Sequence, residues 1–236
     1  MTVEKLYEDE DILAIYKPSG VLVHSDGESA EETIADWFLK EYPDSHDVGE
    51  PGQDRHGNAV ERAGIVHRLD RETSGTLLLA KTEKGFLHLK KQFQDPSIRK
   101  TYHAFVYGEM KEEQGVIDRP IGRSAQDFRL RSAQRGARGA LRDAITEFTV
   151  LQKGNGYSFL ELHPKTGRTH QIRTHLKAIN HPVVCDALYA PKRECALGFD
   201  RLALHASMIE FENIAGKRVV AEAPLPPSFL KAKTAL

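Results

Sequence analysis

The sequence predicts an α+β fold with a mixed, largely antiparallel central β-sheet flanked by helices. Predicted strands outnumber predicted helices, and hairpins dominate the connections between them. The strongest hairpin signal is "KGNG" (153–156), which joins β-type runs at 144–151 and 157–163. A second hairpin is predicted near the end of the chain, where 204–211 would pair with 217–223.

The first third of the chain predicts two short strands and one helix. The strands are 12–16 and 21–23, separated by the turn-prone "KPSG". Ser29 and Glu32 have the spacing of a capping box, which predicts a helix start. The apolar face of that helix would carry Ile34, Trp37 and Phe38.

Residues 43–62 are polar and rich in Gly and Asp, which predicts a mobile loop within a domain. Beyond it, the apolar spacing predicts helices at 83–94 and 169–179 and a strand at 100–108. No internal repeat is present, and we expect one domain over residues 1–236.

The composition excludes several classes of protein. The chain is 40% hydrophobic and 28% charged, with a net charge of -1. It contains no run of about 18 apolar residues, so no membrane span is predicted. The N-terminus has acidic residues where a secretory signal needs a basic start. Cys185 and Cys195 have no metal-ligand spacing and are too few for a disulfide framework, so we expect a cytoplasmic protein.

The charge is distributed unevenly. Residues 1–62 hold sixteen Asp and Glu against five Lys and Arg, so the remaining chain is basic. Within it, 119–142 contains seven arginines and one aspartate, in a stretch that we predict to be flexible. Such a segment is either a solvated loop or a contact for a polyanion, because arginine forks match phosphate oxygens. Composition alone leaves both possibilities open.

The segment "HRLDRETSG" (67–75) contains the strongest candidate for chemistry. It places Asp70 in a loop between two apolar runs, with Arg68 and Arg71 beside it. Nearby positive charge and hydrogen bonds would hold the carboxylate ionised, and such a group can act as a nucleophile, a base or a metal ligand. The kinase catalytic loop, zincin, Gly-x-Ser-x-Gly and nucleotide-binding glycine patterns are all absent.

Several separated segments resemble, in order and approximate spacing, the RluA-type RNA pseudouridine synthases. The resemblance covers essentially the whole chain and is carried by 7–25, 64–82, 100–108, 163–189 and 201–211. It implies the pseudouridine synthase catalytic fold, an isomerase that uses no cofactor and no metal, and a structured RNA substrate, either rRNA or tRNA. No S4 RNA-binding domain fits before Leu13, so we expect RNA selection by the catalytic domain itself.

The resemblance also assigns candidate site residues. Asp70 matches the family's essential aspartate, and Tyr102 matches the tyrosine expected to stack on the target base. Arg173 in "HQIR" matches the arginine that pairs with the aspartate, although its position alone predicts a solvated helix residue. Leu204 resembles an apolar position near the base.

Further residues are expected to contact the substrate. Arg68 and Arg71 would hold RNA phosphate or the loop itself, and Lys165 and Arg168 would join the 119–142 segment in a basic rim for an everted uridine. The family's "GHP…GD" is "NHPVVCD" here, with Asn180 and Cys185 in place of glycines, which could alter the turn after the helix.

We therefore predict an RNA pseudouridine synthase that acts as a monomer. We expect no obligate protein partner and no association with a membrane. Two alternatives remain open from the sequence. One is a catalytically silent RNA-binding protein on the same fold. The other is a carboxylate-dependent hydrolase that acts on a nucleoside or a sugar.

Overall fold

The structure is a computed structural model that describes residues 1–25, 27, 29–53, 59–60, 62–95, 97–125, 127, 130–134 and 136–236. Contacts between residues divide the chain into two compact units. The first contains 1–99 and 208–223, and the second contains 100–207 and 224–236. The expectation of a single domain stays a prediction.

Short strands and a few helices make up the described chain, in agreement with the predicted α+β class. The helices are α1 (Ile34–Glu41), α2 (Glu83–Gln94), α3 (Gln171–Ala178) and α4 (Pro227–Lys233), and Pro43–Ser45 forms a 3₁₀ turn. The strands are β1 (Glu4–Glu8), β2 (Ile12–Lys17), β3 (Gly52–Gln53), β4 (Ala59–Val60), β5 (Ser74–Ala80), β6 (Arg99–Tyr107), β7 (Gln114–Asp118), β8 (Ile121–Arg123), β9 (Arg131–Ser132), β10 (Arg138–Arg142), β11 (Ile145–Gly154), β12 (Tyr157–Pro164), β13 (Leu204–Glu212) and β14 (Arg218–Glu222).

The first unit is built on antiparallel strands. β1 pairs with β2, β2 pairs with β5, and β13 pairs with β14, all antiparallel. Every residue of β5 is buried, as its run of leucines predicts for a strand covered on both faces. One apolar cluster of this unit includes Ile12, Leu78, Ala80, Phe86, Leu89, Ile98, Ile209 and Phe211. Leu13, Ile15, Ile34, Phe38, Leu77 and Leu79 are also fully buried.

Two sequence predictions at the start of α1 are wrong. The capping box is formed by Thr33 and Asp36, because Thr33 directly precedes the first buried helical residue, Ile34. Residues 21–23 form no strand. The carbonyls of Leu22 and Val23 instead accept hydrogen bonds at 2.9 Å from the first backbone N–H groups of α1.

The second unit contains four antiparallel strands in the order β6-β12-β11-β7, in which only β11 and β12 are consecutive in the chain. The predicted hairpin between β11 and β12 is confirmed, and it turns at Asn155 and Gly156 with φ of 53° and 81°. The helix α3 inserts Ile172 and Leu176 into the core of this unit. That core also holds Ala104, Phe105, Val106, Phe159, Leu160, Leu162, Val183, Val184, Phe199, Leu204 and Phe229.

The arginine-rich segment 119–142 contains regular structure where it is described. It contains β8, β9 and β10, which form an antiparallel sheet in the order β10-β8-β9. Ile121 and Ala133 of this segment pack with Ala144 and Ala178, which gives the small sheet a core. The flexibility of this segment stays a prediction, and Gln126, Phe128, Arg129 and Arg135 lie outside the described residues.

The predicted mobile loop 43–62 holds regular structure where it is described. Pro43–Ser45 forms the 3₁₀ turn, and β3 pairs with β4. Residues 54–58 and 61 lie outside the described residues. The mobility of this segment stays a prediction.

The two cysteines are joined by a disulfide, Cys185–Cys195, with their Cα atoms 4.6 Å apart. The number and spacing of the two cysteines did not indicate this bond. Cys185 and Asn180 both have left-handed backbones, with φ of 58° and 66°. These are the two positions at which the RluA-type pattern has glycine, and the positive φ explains that preference. The substitutions therefore leave the left-handed turns in place.

Within the described chain, no helix is both long enough and apolar enough to span a membrane.

Candidate active site

Asp70 lies in a loop of the first unit that ends at β5. Ile65 forms a β-bridge with Leu79, and the chain then crosses to β5 through residues 66–73. Leu69 is buried and Asp70 is partly exposed, and the N–H of Thr73 donates to the Asp70 carbonyl at 3.1 Å. The loop therefore places the partly exposed Asp70 next to Leu69, whose buried side chain anchors the loop.

The turn between β2 and the following segment holds this loop in place. The side chain of Lys17 is fully buried, and its ammonium donates to the carbonyls of Pro18, Val21 and Arg71 at 2.7, 2.8 and 3.0 Å. The N–H of Gly20 donates to the Arg71 carbonyl at 2.9 Å, and the Ser19 hydroxyl donates to the Glu72 carbonyl at 2.7 Å. The "KPSG" turn thus fixes the backbone directly after Asp70.

The charged neighbours of Asp70 make contacts inside the first unit. Arg71 donates from Nε to the Gly20 carbonyl at 3.0 Å and from Nη2 to Glu31 at 2.6 Å, which supports its predicted role of holding the loop. Arg68 is exposed, and its Nη1 lies 3.1 Å from the His24 ring. Contact of either arginine with RNA stays a prediction.

Tyr102 and Leu204 lie in the second unit. Tyr102 is on β6 opposite Leu162 of β12, partly exposed, and it packs against the apolar cluster that also holds α3. Leu204 begins β13 and is 3% exposed within that cluster.

Arg173 is on α3, and its burial contradicts the solvated position that its place on the helix predicts. The residue is 6% exposed, and its guanidinium forms a fork with the Asp186 carboxylate. Nε donates to Oδ2 and Nη2 donates to Oδ1, each at 2.8 Å. Two parallel charge-assisted bonds fix the plane of the guanidinium as well as its position.

A buried polar network holds α3 against the strands of the second unit. Gln171 donates to the Ile145 carbonyl and to Thr146, each at 3.0 Å. His175 lies 2.9 Å from the Thr146 hydroxyl and 2.9 Å from the Arg119 carbonyl. Burial lowers the pKa of His175, so the neutral ring is favoured in this network.

The basic residues predicted to contact RNA occupy two places in the second unit. Within the described part of 119–142, Arg119, Arg123, Arg138 and Arg142 are exposed. Lys165 forms an ion pair with Glu147 at 2.7 Å, and Arg168 donates to the Asp143 carbonyl at 3.0 Å. The Lys165–Glu147 pair is exposed, so its contribution to stability is small.

Sequence analysis missed Lys17, Asp186 and Lys100. Lys17 lies in the turn-prone "KPSG", and Asp186 lies in "NHPVVCD". Neither pattern by itself indicates that the charged side chain it contains is buried. Lys100 lies two residues before Tyr102 on β6, and burial lowers its pKa to about 8. Its ammonium donates to the Thr166 carbonyl at 3.2 Å.

The predicted residues divide between the two units. Arg68, Asp70 and Arg71 lie in the first, whereas Tyr102, Lys165, Arg168, Arg173 and Leu204 lie in the second. Within the described residues, no group of three or more His, Cys, Asp and Glu is placed to hold a metal ion.

Comparison with known proteins identifies the family. The family model for RNA pseudouridylate synthase matches residues 11–178. A protein described as an uncharacterized RNA pseudouridine synthase of Synechocystis sp. is 36% identical over 96% of this chain and 66% of its own length. The ribosomal large subunit pseudouridine synthase D of Vibrio cholerae is 33% identical over 98% of this chain and 70% of its own length.

The fold has a matching solved structure. The human RNA pseudouridylate synthase domain containing 1 superposes with a TM-score of 0.73 at 24% identity, over 95% of this chain and 84% of the human chain. The matched family model spans Asp70, Tyr102 and Arg173. This chain belongs to the RNA pseudouridylate synthase family of isomerases.

Proposed function

We propose that this protein isomerises specific uridines in rRNA or tRNA to pseudouridine, with Asp70 as the catalytic carboxylate. The observation that carries the proposal is the family match over 11–178, which includes Asp70 in its anchored loop. Relatives in Vibrio are named for the large ribosomal subunit, which makes large-subunit rRNA the first substrate to test.

The proposed chemistry needs one carboxylate at the sugar. Pseudouridine formation breaks the bond between uracil N1 and ribose C1′, turns the base and rejoins C1′ to C5. Breaking the bond develops positive charge at C1′, and a carboxylate can meet that charge as it does in glycosidases. Asp70 would either add to C1′ or assist elimination to a glycal-like intermediate by loss of the C2′ proton, which returns when C5 bonds to C1′. Both routes end with loss of the C5 proton and protonation of N1, so that the product is an isomer of the substrate.

Tyr102 and Arg173 complete the proposed centre. Tyr102 would stack on the everted base and take part in proton transfer at C5. Arg173 would pair with Asp70 and keep it ionised and oriented.

The proposed RNA surface is the exposed arginine set of 119–142 with Lys165 and Arg168. A uridine must leave its stack to expose the scissile bond, which favours a loop in a structured RNA. The basic surface would bind the phosphates around that loop. Arg68, Arg71 and Leu204 would contact the substrate near Asp70 and Tyr102.

The test is conversion of uridine to pseudouridine in protein-free rRNA and in tRNA. Wild-type protein should convert at least one site, and Asp70→Asn should convert none while it still binds RNA. Asp95→Asn is the matched control, because Asp95 is an exposed carboxylate at the end of α2. It should react as the wild type does.

Two results would overturn the proposal. RNA binding without conversion by the wild-type protein would favour the silent RNA-binding alternative. Release of free base or sugar without a requirement for RNA would favour the hydrolase. Mapping pseudouridines in total RNA of cells with and without the gene would then identify the target uridine.

We also propose that the protein acts as a monomer in the cytoplasm, where rRNA and tRNA are modified. Disulfides are uncommon in cytoplasmic proteins of most organisms, so the Cys185–Cys195 bond makes the cytoplasmic location the part of this proposal that most needs a test. Light scattering should give the mass of one chain. Localisation of a tagged chain in intact cells should give a cytoplasmic signal, and secretion would contradict it.

A further inference from the structure

We propose that Asp186 is a positioning residue, which holds the Arg173 guanidinium in the orientation that catalysis requires. The inference rests on the proposed function, because it assigns Arg173 to the reacting centre. Asp186 would not itself touch the substrate, and it would act on the reaction through the Arg173 guanidinium.

The pair is buried and doubly bonded. The Arg173 side chain is 7% exposed and the Asp186 side chain is 0% exposed. Both bonds of the fork are 2.8 Å long. Rotation of the guanidinium would break both bonds in a place with little access for water, so the fork locks its plane.

The Asp186 carboxylate is itself fixed by a turn. Oδ1 accepts the backbone N–H of Leu188 at 3.0 Å and that of Tyr189 at 2.9 Å, and the Asp186 carbonyl accepts the N–H of Ala190 at 2.8 Å. Asp186 is therefore held by the backbone on one side while it holds Arg173 on the other. Such outer contacts orient a functional group because they leave it few alternative rotamers.

Tyr189 supports the face of the same guanidinium. The Cζ atom of Arg173 lies 5.0 Å from the centre of the Tyr189 ring, within cation–π range. The Tyr189 hydroxyl accepts the Arg131 N–H at 2.9 Å and lies 2.9 Å from Nδ1 of His170. The edge and the face of the guanidinium are thus both supported by one turn.

The ends of this turn are bonded to each other and to strand β6 of the same unit. The Cys185–Cys195 disulfide closes it, the Tyr107 hydroxyl donates to the Glu194 carbonyl at 2.6 Å, and the Cys185 N–H donates to the Tyr107 hydroxyl at 3.2 Å. The N–H of Val184 donates to the Phe105 carbonyl at 2.8 Å. A turn tied at both ends can keep Asp186 in register with α3.

The test compares wild type, Asp186→Asn, Arg173→Lys and the double variant in single-turnover conversion of RNA. The carbonyl oxygen of asparagine can still accept the two turn bonds and the Nη2 bond that Oδ1 accepts in the wild type. The substitution therefore removes the charge and the Nε bond to Oδ2 while it keeps the turn. We expect Asp186→Asn to slow conversion at least tenfold with RNA affinity within twofold of wild type. In the Arg173→Lys background, the same substitution should change the rate less than twofold.

A second readout does not need activity. The Nε–H of Arg173, assigned by its loss in Arg173→Lys, should give a slowly exchanging NMR signal in the wild type. Its exchange should be at least tenfold faster in Asp186→Asn. Asp200→Asn, an exposed aspartate of the same unit, is the matched control and should alter neither the rate nor the exchange.

The outcomes separate this inference from the proposed function. Unchanged conversion, unchanged Nε–H exchange or an equal rate loss in both Arg173 backgrounds would each overturn the role of Asp186. If Asp186→Asn does not fold, Tyr189→Leu removes the second support, and the proposal requires a rate loss that disappears in Arg173→Lys. A wild-type protein that converts no RNA would instead overturn the proposed function.

Discussion

The ammonium of Lys17 donates to the backbone carbonyl of Arg71 at 3.0 Å, and so joins the end of β2 to the residue that follows Asp70. Lys17 is 0% exposed, and its other acceptors are the carbonyls of Pro18 and Val21. A long charged side chain in this place is stabilising only because three carbonyls surround its charge. The bond therefore holds the candidate catalytic loop against the "KPSG" turn.

Lys17→Met should destabilise the protein and slow conversion. The substitution keeps the volume but leaves buried carbonyls without their donor, at a cost of about 2–4 kcal/mol in the free energy of unfolding. Urea unfolding and single-turnover conversion measure the two effects. Lys84→Met, at an exposed position of α2, is the control, and equal behaviour of the two variants would contradict the anchoring role.

Thr33→Ala should lower the free energy of unfolding by about 1 kcal/mol, because it removes an N-cap. The Thr33 hydroxyl accepts the Asp36 N–H at 3.2 Å, and the Asp36 carboxylate accepts the Thr33 N–H at 2.8 Å. Ser29→Ala should cost only a few tenths of a kcal/mol, since Ser29 does not cap α1. A larger loss for Ser29→Ala would restore the helix start that the sequence predicted.

Lys100 predicts a pH dependence of stability. Burial lowers its pKa to about 8 from the ordinary 10.5, so the unfolded chain binds more protons between these values. The free energy of unfolding should therefore rise with pH across this window, by up to about 3 kcal/mol from this group. Lys100→Met should show a flatter rise in urea unfolding from pH 7 to 10. Parallel curves for the two proteins would show that Lys100 does not titrate in this window.

Cys185→Gly and Cys185→Ser both remove the disulfide, but they should differ in stability. Position 185 has a φ of 58°, which glycine adopts without a steric penalty and serine does not. The glycine variant should be more stable by up to about 1 kcal/mol. Thermal unfolding with and without reductant measures this difference, and reductant should affect only the wild type. A serine variant as stable as the glycine variant would argue against the left-handed turn.

Arg123→Gln combined with Arg138→Gln should weaken RNA binding. The two residues face each other in the register of β8 and β10, and both are exposed. If both bind phosphate, the slope of log affinity against log salt should fall by roughly 1 for each contact. Two substitutions on α4, Lys231→Gln and Lys233→Gln, remove the same charge in the same unit. An equal loss of affinity there would indicate only a general charge effect.

The local sequence was a good guide where chain neighbours decide the structure. The predicted helix at 83–94 matches α2, and the "KGNG" signal marks the turn between β11 and β12. Both depend on contacts a few residues apart in the sequence. The strand at 21–23 was wrong, because the first N–H groups of α1 bond to the carbonyls of Leu22 and Val23. The cap at Ser29 was wrong, because Thr33 directly precedes α1 and caps it.

The candidate site shows the same division. The motifs around Asp70, Tyr102 and Arg173 indicated the family, which the comparisons confirm, while the roles of these residues remain predictions. The burial of Arg173 against Asp186 could not be predicted, because the two residues are separated by thirteen positions and meet only when the turn folds back on α3.

The sequence by itself determined the α+β class, most long elements and the family, since these follow from periodicity, turn chemistry and ordered motifs. Only the tertiary structure decided which charged groups are buried and what each one bonds. Burial of Lys17 and Arg173 is stabilising only when carbonyls or a carboxylate surround the charge, and the Arg71 carbonyl and the Asp186 carboxylate come from elsewhere in the chain. That requirement is met by packing, which no local pattern along the chain reports.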